Sequence, residues 1–140
     1  MVRAAPHERF SSEVVLTSTQ VREYALAVGD TNPVHHDVAF AAASRFGRLI
    51  ASGTHTTALL LALTASYFAR KGAMLGLDFW VRFRRPVFAD ESIRLEWLIV
   101  RVTRNERLGG VVVELRRRIT NQVGATVLGT KGRILVTDRI

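Results

Sequence analysis

The sequence lacks cysteine altogether, and it lacks any apolar run long enough to cross a membrane. Without cysteine, the chain has no disulfide framework, no thiolate zinc site and no cysteine nucleophile. The longest apolar run, residues 58–69, is interrupted by Thr64 and Ser66 and is shorter than a bilayer requires. Residues 1–10 carry charges and Pro6 instead of the apolar core of a signal peptide. We therefore expect a cytoplasmic protein that is neither secreted nor embedded in a membrane.

Acidic residues are in the minority, with 12 against 20 basic residues and a net charge of +8. Lysine is also scarce, because Lys71 and Lys131 are the only lysines. The arginines are scattered, and neither a zinc-finger spacing nor an RNA-binding aromatic signature accompanies them. The charge suits a polyanionic small ligand such as a nucleotide-tailed cofactor, and we expect no nucleic-acid partner.

The length and composition fit one globular domain over residues 1–140, with 48% apolar and 23% charged residues and no internal repeat or linker. The first half of the chain has helical periodicity after a short leading strand at residues 9–16. A first helix follows the hydroxyl-rich segment 17–19 and ends at Gly29. Asp37 is expected to cap a short second helix, Val38 to Phe46. A third helix, residues 54–70, is apolar nearly all round and is therefore expected to be enclosed by other elements.

The second half of the chain alternates with a period of two, as half-buried strands do. Strands are expected over residues 77–84, 92–104, 111–119 and 128–136. A change of apolar phase predicts a bulge near Leu98. The short connections favour a four-stranded antiparallel meander. With the leading strand, these elements predict an α+β hotdog fold, in which a curved antiparallel sheet of about five strands wraps around the long buried helix.

The densest group of reactive side chains lies in the turn from Gly29 to Asp37. Asp30 and His35 lie on either side of Pro33, and such a turn can fold both side chains toward one point. A carboxylate and an imidazole in one pocket suit acid–base work on a water molecule, because imidazole titrates near neutrality. The alternative is structural: Asp30 caps the turn, and the two adjacent histidines form a solvated pair.

The segment from Tyr24 to His35, followed by Ala41, resembles the hydratase motif of MaoC-like dehydratases, the (R)-specific enoyl-CoA hydratases of hotdog fold. The resemblance continues through residues 40–42 and 47–61 and returns in residues 81–90, so that it covers most of the chain. It implies addition of water to a trans-2-enoyl thioester to give an (R)-3-hydroxyacyl thioester, or the reverse dehydration. Coenzyme A or a carrier protein is then part of the substrate, and no separate cofactor is implied.

The same resemblance implies roles for four residues. Asp30 and His35 hold the catalytic water, with the roles of acid and base unassigned between them, and Asn32 fixes the loop. Attack on the enoyl group pushes negative charge onto the thioester oxygen, which needs a hydrogen-bond donor. The Gly53 N–H, at the start of the long helix, is the candidate donor because the first N–H groups of a helix have no intrahelical acceptor.

The chain also departs from the family pattern next to Gly53. Relatives usually have histidine immediately before this glycine, where this chain has Ser52. His55 lies near enough in sequence to face the same pocket, or else it packs on the first turn of the helix. Ser52 and His55 are therefore candidate pocket residues.

Arg82, Arg84 and Arg85 are candidates to contact the phosphates of coenzyme A, because arginine binds phosphate with two parallel hydrogen bonds. The alternative is a solvated strand face. The histidines and Asp37 have no recognised metal-ligand spacing, so we expect no metal site.

Two other functions stay open. A hotdog thioesterase also needs a water molecule activated by a carboxylate, and a non-catalytic acyl-binding subunit would pair with a second, reacting chain. One copy of a hotdog domain leaves a sheet edge and helix ends exposed, so we expect a homodimer or a higher homo-oligomer.

Overall fold

The computed structural model describes residues 4–138, which contain five strands and three α-helices. Residues 1–3 and 139–140, which the single-domain prediction includes, lie outside the described residues. The elements in chain order are β1 (Arg9–Val15), α1 (Ser18–Ala27), α2 (Val38–Ala43), α3 (Gly53–Phe68), β2 (Ala73–Phe83), β3 (Ser92–Asn105), β4 (Gly110–Thr120) and β5 (Thr126–Thr137). A short 3-10 helix, Pro33–His35, precedes α2.

The strands form one antiparallel sheet in the order β1-β3-β4-β5-β2. The predicted meander is correct for β3, β4 and β5 but wrong for β2, which pairs with β5 instead of β3. The segment 84–91 crosses to the other edge, where the Asp90 N–H donates to the Leu16 carbonyl at 2.7 Å. Side-chain alternation determines which face of a strand is buried, but it carries no information about which strand lies beside it.

The described strand pairings contain three register shifts, one of them between Ile119 and Thr120 of β4. The bulge expected near Leu98 lies slightly further along β3, between Ile99 and Arg101. A third irregularity lies between Gly76 and Asp78 of β2. Such irregularities increase local twist and so help an antiparallel sheet to bend.

The long helix α3 lies across one face of the sheet and contacts β1, β2 and β3. Because β1 and β2 are the two edge strands, the sheet must curve around the helix for both to touch it. Trp97 of β3 and Leu60 of α3 are fully buried, and the indole N–H of Trp97 donates to the Leu60 carbonyl at 2.8 Å. Among residues 4–138, no helix is both long and apolar enough to cross a membrane.

The expectation that α3 is enclosed on every side is wrong within a single chain. Its sheet-facing residues Thr64 and Phe68 are inaccessible, whereas a row of small residues is exposed on the opposite side. The neighbouring edge strand β2 also leaves large apolar side chains exposed: Leu75, Leu77, Trp80 and Phe83. An apolar sequence predicts burial, but it does not distinguish burial by the chain's own sheet from burial by another molecule.

A polar cluster fixes the start of β1 to the end of α3. Tyr67 and Lys71 both donate hydrogen bonds to the Glu8 carboxylate, the latter at 2.8 Å, and the ring of Phe10 stacks on Tyr67 at 3.9 Å between centroids. Partial burial would raise the pKa of Glu8, but the hydrogen bonds from Lys71 and Tyr67 outweigh it and lower that pKa. Ionised Glu8 therefore stabilises the contact between these two elements.

Candidate active site

The end of α1 determines where the Asp30 loop begins. Gly29 adopts a positive φ of 77°, which ends the helix and which a residue with a side chain rarely tolerates. The next N–H, that of Asp30, donates back to the Ala25 carbonyl at 2.8 Å. The loop therefore leaves the helix in one defined direction, with the Asp30 side chain at its start.

The carboxylate of Asp30 is held by hydrogen bonds to both of its oxygens. The Asn32 N–H donates to Oδ1 at 3.1 Å, and the Ser52 hydroxyl donates to Oδ2 at 2.9 Å. The Asn32 N–H, the Ser52 hydroxyl and the nearby imidazoles together lower the pKa of Asp30, against a smaller opposing effect of burial. Asp30 is therefore an ionised carboxylate at neutral pH.

His35 lies beside this carboxylate and is buried. Its Nδ1 lies 2.7 Å from the Ile50 carbonyl, and its Nε2 lies 3.4 Å from Asp30 Oδ2. Since a carbonyl can only accept, Nδ1 carries the proton. When His35 is neutral, its Nε2 lone pair therefore faces the same space as the carboxylate. The turn thus brings Asp30 and His35 together, as the sequence predicts.

Asn32 fixes the loop in two ways. Besides the N–H bond to Asp30, its side-chain oxygen accepts from the Val34 N–H at 3.4 Å and caps the 3-10 helix that carries His35. The structural alternative from the sequence treats His36 as one of two solvated histidines. In the structure, His36 donates from Nε2 to the Asp30 backbone carbonyl. Both contacts hold the loop from which the carboxylate projects.

Gly53 is the first residue of α3, and the chain comes unusually close to another side chain there. A Cβ placed on Gly53 would lie 2.8 Å from the Phe83 ring, which is closer than real Cβ contacts allow. The first-turn bonds run from the His55 and Thr56 N–H groups to the Ser52 carbonyl. Among residues 4–138 the Gly53 N–H has no backbone acceptor, and it lies at the positive end of the helix.

A groove of about 330 Å³ lies beside His35 and Gly53, whereas Asp30, Asn32 and Ser52 are not among the residues that line it. Its walls include His35, Gly53 and Phe83, and three arginines line it: Arg45, Arg84 and Arg85. Arg85 also donates to the Thr126 carbonyl at 2.7 Å. Arg82 lies outside the residues that line the groove. A basic groove that leads to an imidazole and a helix N-terminus suits an anionic substrate.

His55 lies against α1 and is absent from the groove lining. Its ring stacks on Tyr24, with 4.1 Å between centroids, and burial lowers its pKa. Its Nδ1 finds no hydrogen-bond partner among the residues that the structure describes. This position favours the interpretation that His55 packs on the first turn of α3 over the interpretation that it faces the pocket.

Sequence reasoning missed three contributors to the site: the Ile50 carbonyl, the bond from Ser52 to Asp30, and Arg45 in the groove. A backbone carbonyl leaves no compositional signal, and the other two depend on chain segments that meet only in the folded protein. Within residues 4–138, no three His, Cys, Asp or Glu side chains lie close enough together to bind a metal ion.

Comparison with known proteins identifies the family and agrees with the fold. Residues 3–122 match the MaoC like domain. The chain belongs to this family. It is 34% identical over 116 residues to 3-hydroxyacyl-thioester dehydratase Z of Mycobacterium tuberculosis, covering 81% of this chain and 75% of that protein. The predicted resemblance to MaoC-like dehydratases is thereby confirmed.

Solved structures of MaoC-like proteins share the fold. The (R)-hydratase from A. caviae superposes with a TM-score of 0.85 at 22% identity, covering 95% of this chain and 97% of that chain. The HadBC 3R-hydroxyacyl-ACP dehydratase complex from Mycobacterium tuberculosis gives a TM-score of 0.79 at 22% identity, covering 96% and 99%. The hotdog fold predicted from the sequence is confirmed.

Proposed function

We propose that this MaoC-like domain is an acyl-thioester hydratase or dehydratase, a lyase. It would add water to a trans-2-enoyl thioester to give the (R)-3-hydroxyacyl thioester, or catalyse the reverse reaction. The observation that carries the proposal is the 3.4 Å approach of His35 Nε2 to Asp30 Oδ2 beside the N-terminus of α3. Water and the thioester are the only reactants in this scheme, and no cofactor takes part.

The pair Asp30 and His35 offers two proton acceptors to one water molecule. A water donating to Oδ2 and Nε2 directs its oxygen lone pair away from both. As the oxygen bonds to C3 of the enoyl group, one of its protons passes to the pair. The pair delivers a proton to C2, so that it returns to its starting state, and the C2–C3 double bond becomes a single bond. Dehydration reverses each of these steps.

The Gly53 N–H supplies the third part of the chemistry. During attack at C3, the π electrons move toward the thioester carbonyl, whose oxygen gains negative charge. A preorganised N–H at a helix N-terminus stabilises that charge without reorganisation. His35 and Gly53 line the same groove, so one bound thioester can reach both.

The carrier half of the substrate would meet the arginines of the groove. Arg45 and Arg84 suit the phosphates of coenzyme A or the phosphopantetheine of a carrier protein, because guanidinium groups bind phosphate with charge-assisted hydrogen bonds. Both carriers work inside cells, so we place the protein in the cytoplasm in this proposal.

We propose that the active form is a homodimer built on β2. Within residues 4–138, β2 has a strand on one side only, and it exposes Leu75 and Leu77 beside the exposed small residues of α3. Light scattering after size exclusion should give twice the monomer mass, and Leu77→Asp should give the monomer. Leu26→Asp, an equally apolar exposed position on α1, is the matched control and should remain dimeric. A wild-type monomer would refute this arrangement.

The enzymatic proposal is tested by mixing purified protein with crotonyl-, octenoyl- and branched enoyl-CoA and following the enoyl-thioester absorbance. Chiral analysis of the product should give the (R)-3-hydroxyacyl thioester. Release of free thiol would show a thioesterase instead. A protein inactive alone but active with a second MaoC-like chain would be a partner subunit. Either result would replace the proposal.

A further inference from the structure

Ser52 stands at the N-cap position of α3, yet its side chain makes no capping hydrogen bond within the described part of the chain. Serine is favoured at this position because its oxygen accepts from a first-turn N–H. Here the hydroxyl turns away from the helix and donates to Asp30 Oδ2 at 2.9 Å. Ser52 is only 1% exposed, so the residue itself is shielded from bulk water.

The oxygen that Ser52 contacts is the one that matters for the chemistry. Asp30 Oδ2 also faces His35 Nε2 at 3.4 Å, whereas Oδ1 accepts the Asn32 N–H. A carboxylate rotates about its Cβ–Cγ bond unless both oxygens are held. The Asn32 bond alone permits that rotation, and the hydrogen bond from the Ser52 hydroxyl prevents it.

We propose that Ser52 is a positioning residue that holds Asp30 Oδ2 against His35 for the hydration or dehydration step. The inference rests on the proposed function, because positioning is meaningful only for a reaction that uses this pair. Ser52 acts through Asp30 and does not touch the reacting atoms. The competing explanation is that Ser52 is a small buried residue needed only for packing.

Kinetics on two variants separate these explanations. Ser52→Ala should lower kcat by about 10- to 100-fold, the scale of a misplaced catalytic group, with KM within about twofold of wild type. Ser52→Thr retains a hydroxyl and should recover most of the lost activity. Thr64→Val deletes another buried hydroxyl of α3, one that donates to the Leu61 carbonyl, and should leave kcat unchanged. An unaffected kcat in Ser52→Ala overturns the proposal.

A double-mutant cycle shows whether Ser52 acts through Asp30. In an Asp30→Ala background the hydroxyl has no carboxylate to hold, so adding Ser52→Ala should change kcat by less than about twofold. Additive losses would mean that Ser52 acts independently of Asp30, and the proposal would then be wrong.

Carboxyl titration by NMR tests the contact without any substrate. Loss of a donor to the ionised carboxylate should raise the pKa of Asp30 in Ser52→Ala, and Ser52→Thr should restore it. A parallel titration of the imidazole resonances follows His35 and His36, the two titratable groups whose charges act on Asp30. A wild-type protein without turnover refutes the proposed function, whereas an unchanged Asp30 pKa in Ser52→Ala refutes the role of Ser52, so the two failures are distinguishable.

Discussion

Replacing Gly53 with alanine tests whether turnover requires the first residue of α3 to lack a side chain. The new Cβ would lie 2.8, 3.0 and 3.3 Å from three atoms of the Phe83 ring, where about 3.5–4.0 Å is comfortable. Phe83 is 58% exposed, so its ring can swing outward, and the overpacking should cost about 1 kcal/mol. Alanine in a helix offsets this by up to about 1 kcal/mol relative to glycine. The melting temperature should therefore stay within about 4 °C of wild type.

Turnover should respond far more strongly than stability. The displaced ring lines the same groove as His35, and the new methyl group stands beside the proposed N–H donor. We expect kcat/KM to fall by about 10- to 100-fold, the scale of a small misplacement at a reacting centre. Gly53→Ala/Phe83→Leu removes the collision but keeps the methyl group, and it should remain impaired relative to Phe83→Leu alone.

Stopped-flow loss of enoyl-thioester absorbance and a thermal melt followed by circular dichroism measure the two effects separately. Two results would refute the reasoning. Gly53→Ala with kcat/KM within about twofold of wild type would remove Gly53 from the site. A double variant as active as Phe83→Leu would assign the loss to the displaced ring and not to the helix N-terminus.

Three further outcomes are expected. Asp30→Asn and His35→Ala should each lower kcat by about 10²-fold or more, with the melting temperature nearly unchanged. Asp37→Asn keeps the cap of α2 and should leave kcat unchanged. Near-normal turnover in Asp30→Asn would contradict the proposed pair. Arg84→Ala should raise KM for an enoyl-CoA but not for the matching pantetheine thioester, with Arg82→Ala as the control outside the groove; equal effects on both substrates would argue against a phosphate contact. Because folding lowers the pKa of Glu8, its stabilisation is present above its unfolded value of 4.5 and disappears as the pH falls through the folded pKa. Glu8→Gln should thus cost about 1 kcal/mol in urea unfolding at pH 7 and almost nothing at pH 3, and an equal loss at both pH values would exclude the ionised contact.

The parts of the site that sequence could predict are those built from neighbours in the chain. Asp30 and His35 belong to one short turn, so their residue types and spacing already determine that they can meet. Gly53 marks the start of a helix by the ordinary signals of a helix boundary. By contrast, the Ile50 carbonyl that orients His35 belongs to a separate segment and contributes only a backbone atom. The position of β2 beside β5 likewise depends on a crossing connection, and periodicity within the strands does not encode it.

The two tryptophans report on different parts of the molecule. Trp97 is fully buried under α3, whereas 51% of Trp80 is exposed on the edge strand β2. Indole emission shifts to longer wavelength in water, so the spectrum of a single subunit combines a component at shorter wavelength from the core with one at longer wavelength from the sheet edge. A soluble quencher such as acrylamide should extinguish the component at longer wavelength first. In Trp80→Phe the remaining emission comes from Trp97 and follows the unfolding of the core alone. The difference between the wild-type and Trp80→Phe emission spectra then monitors the solvation of β2 without any added label.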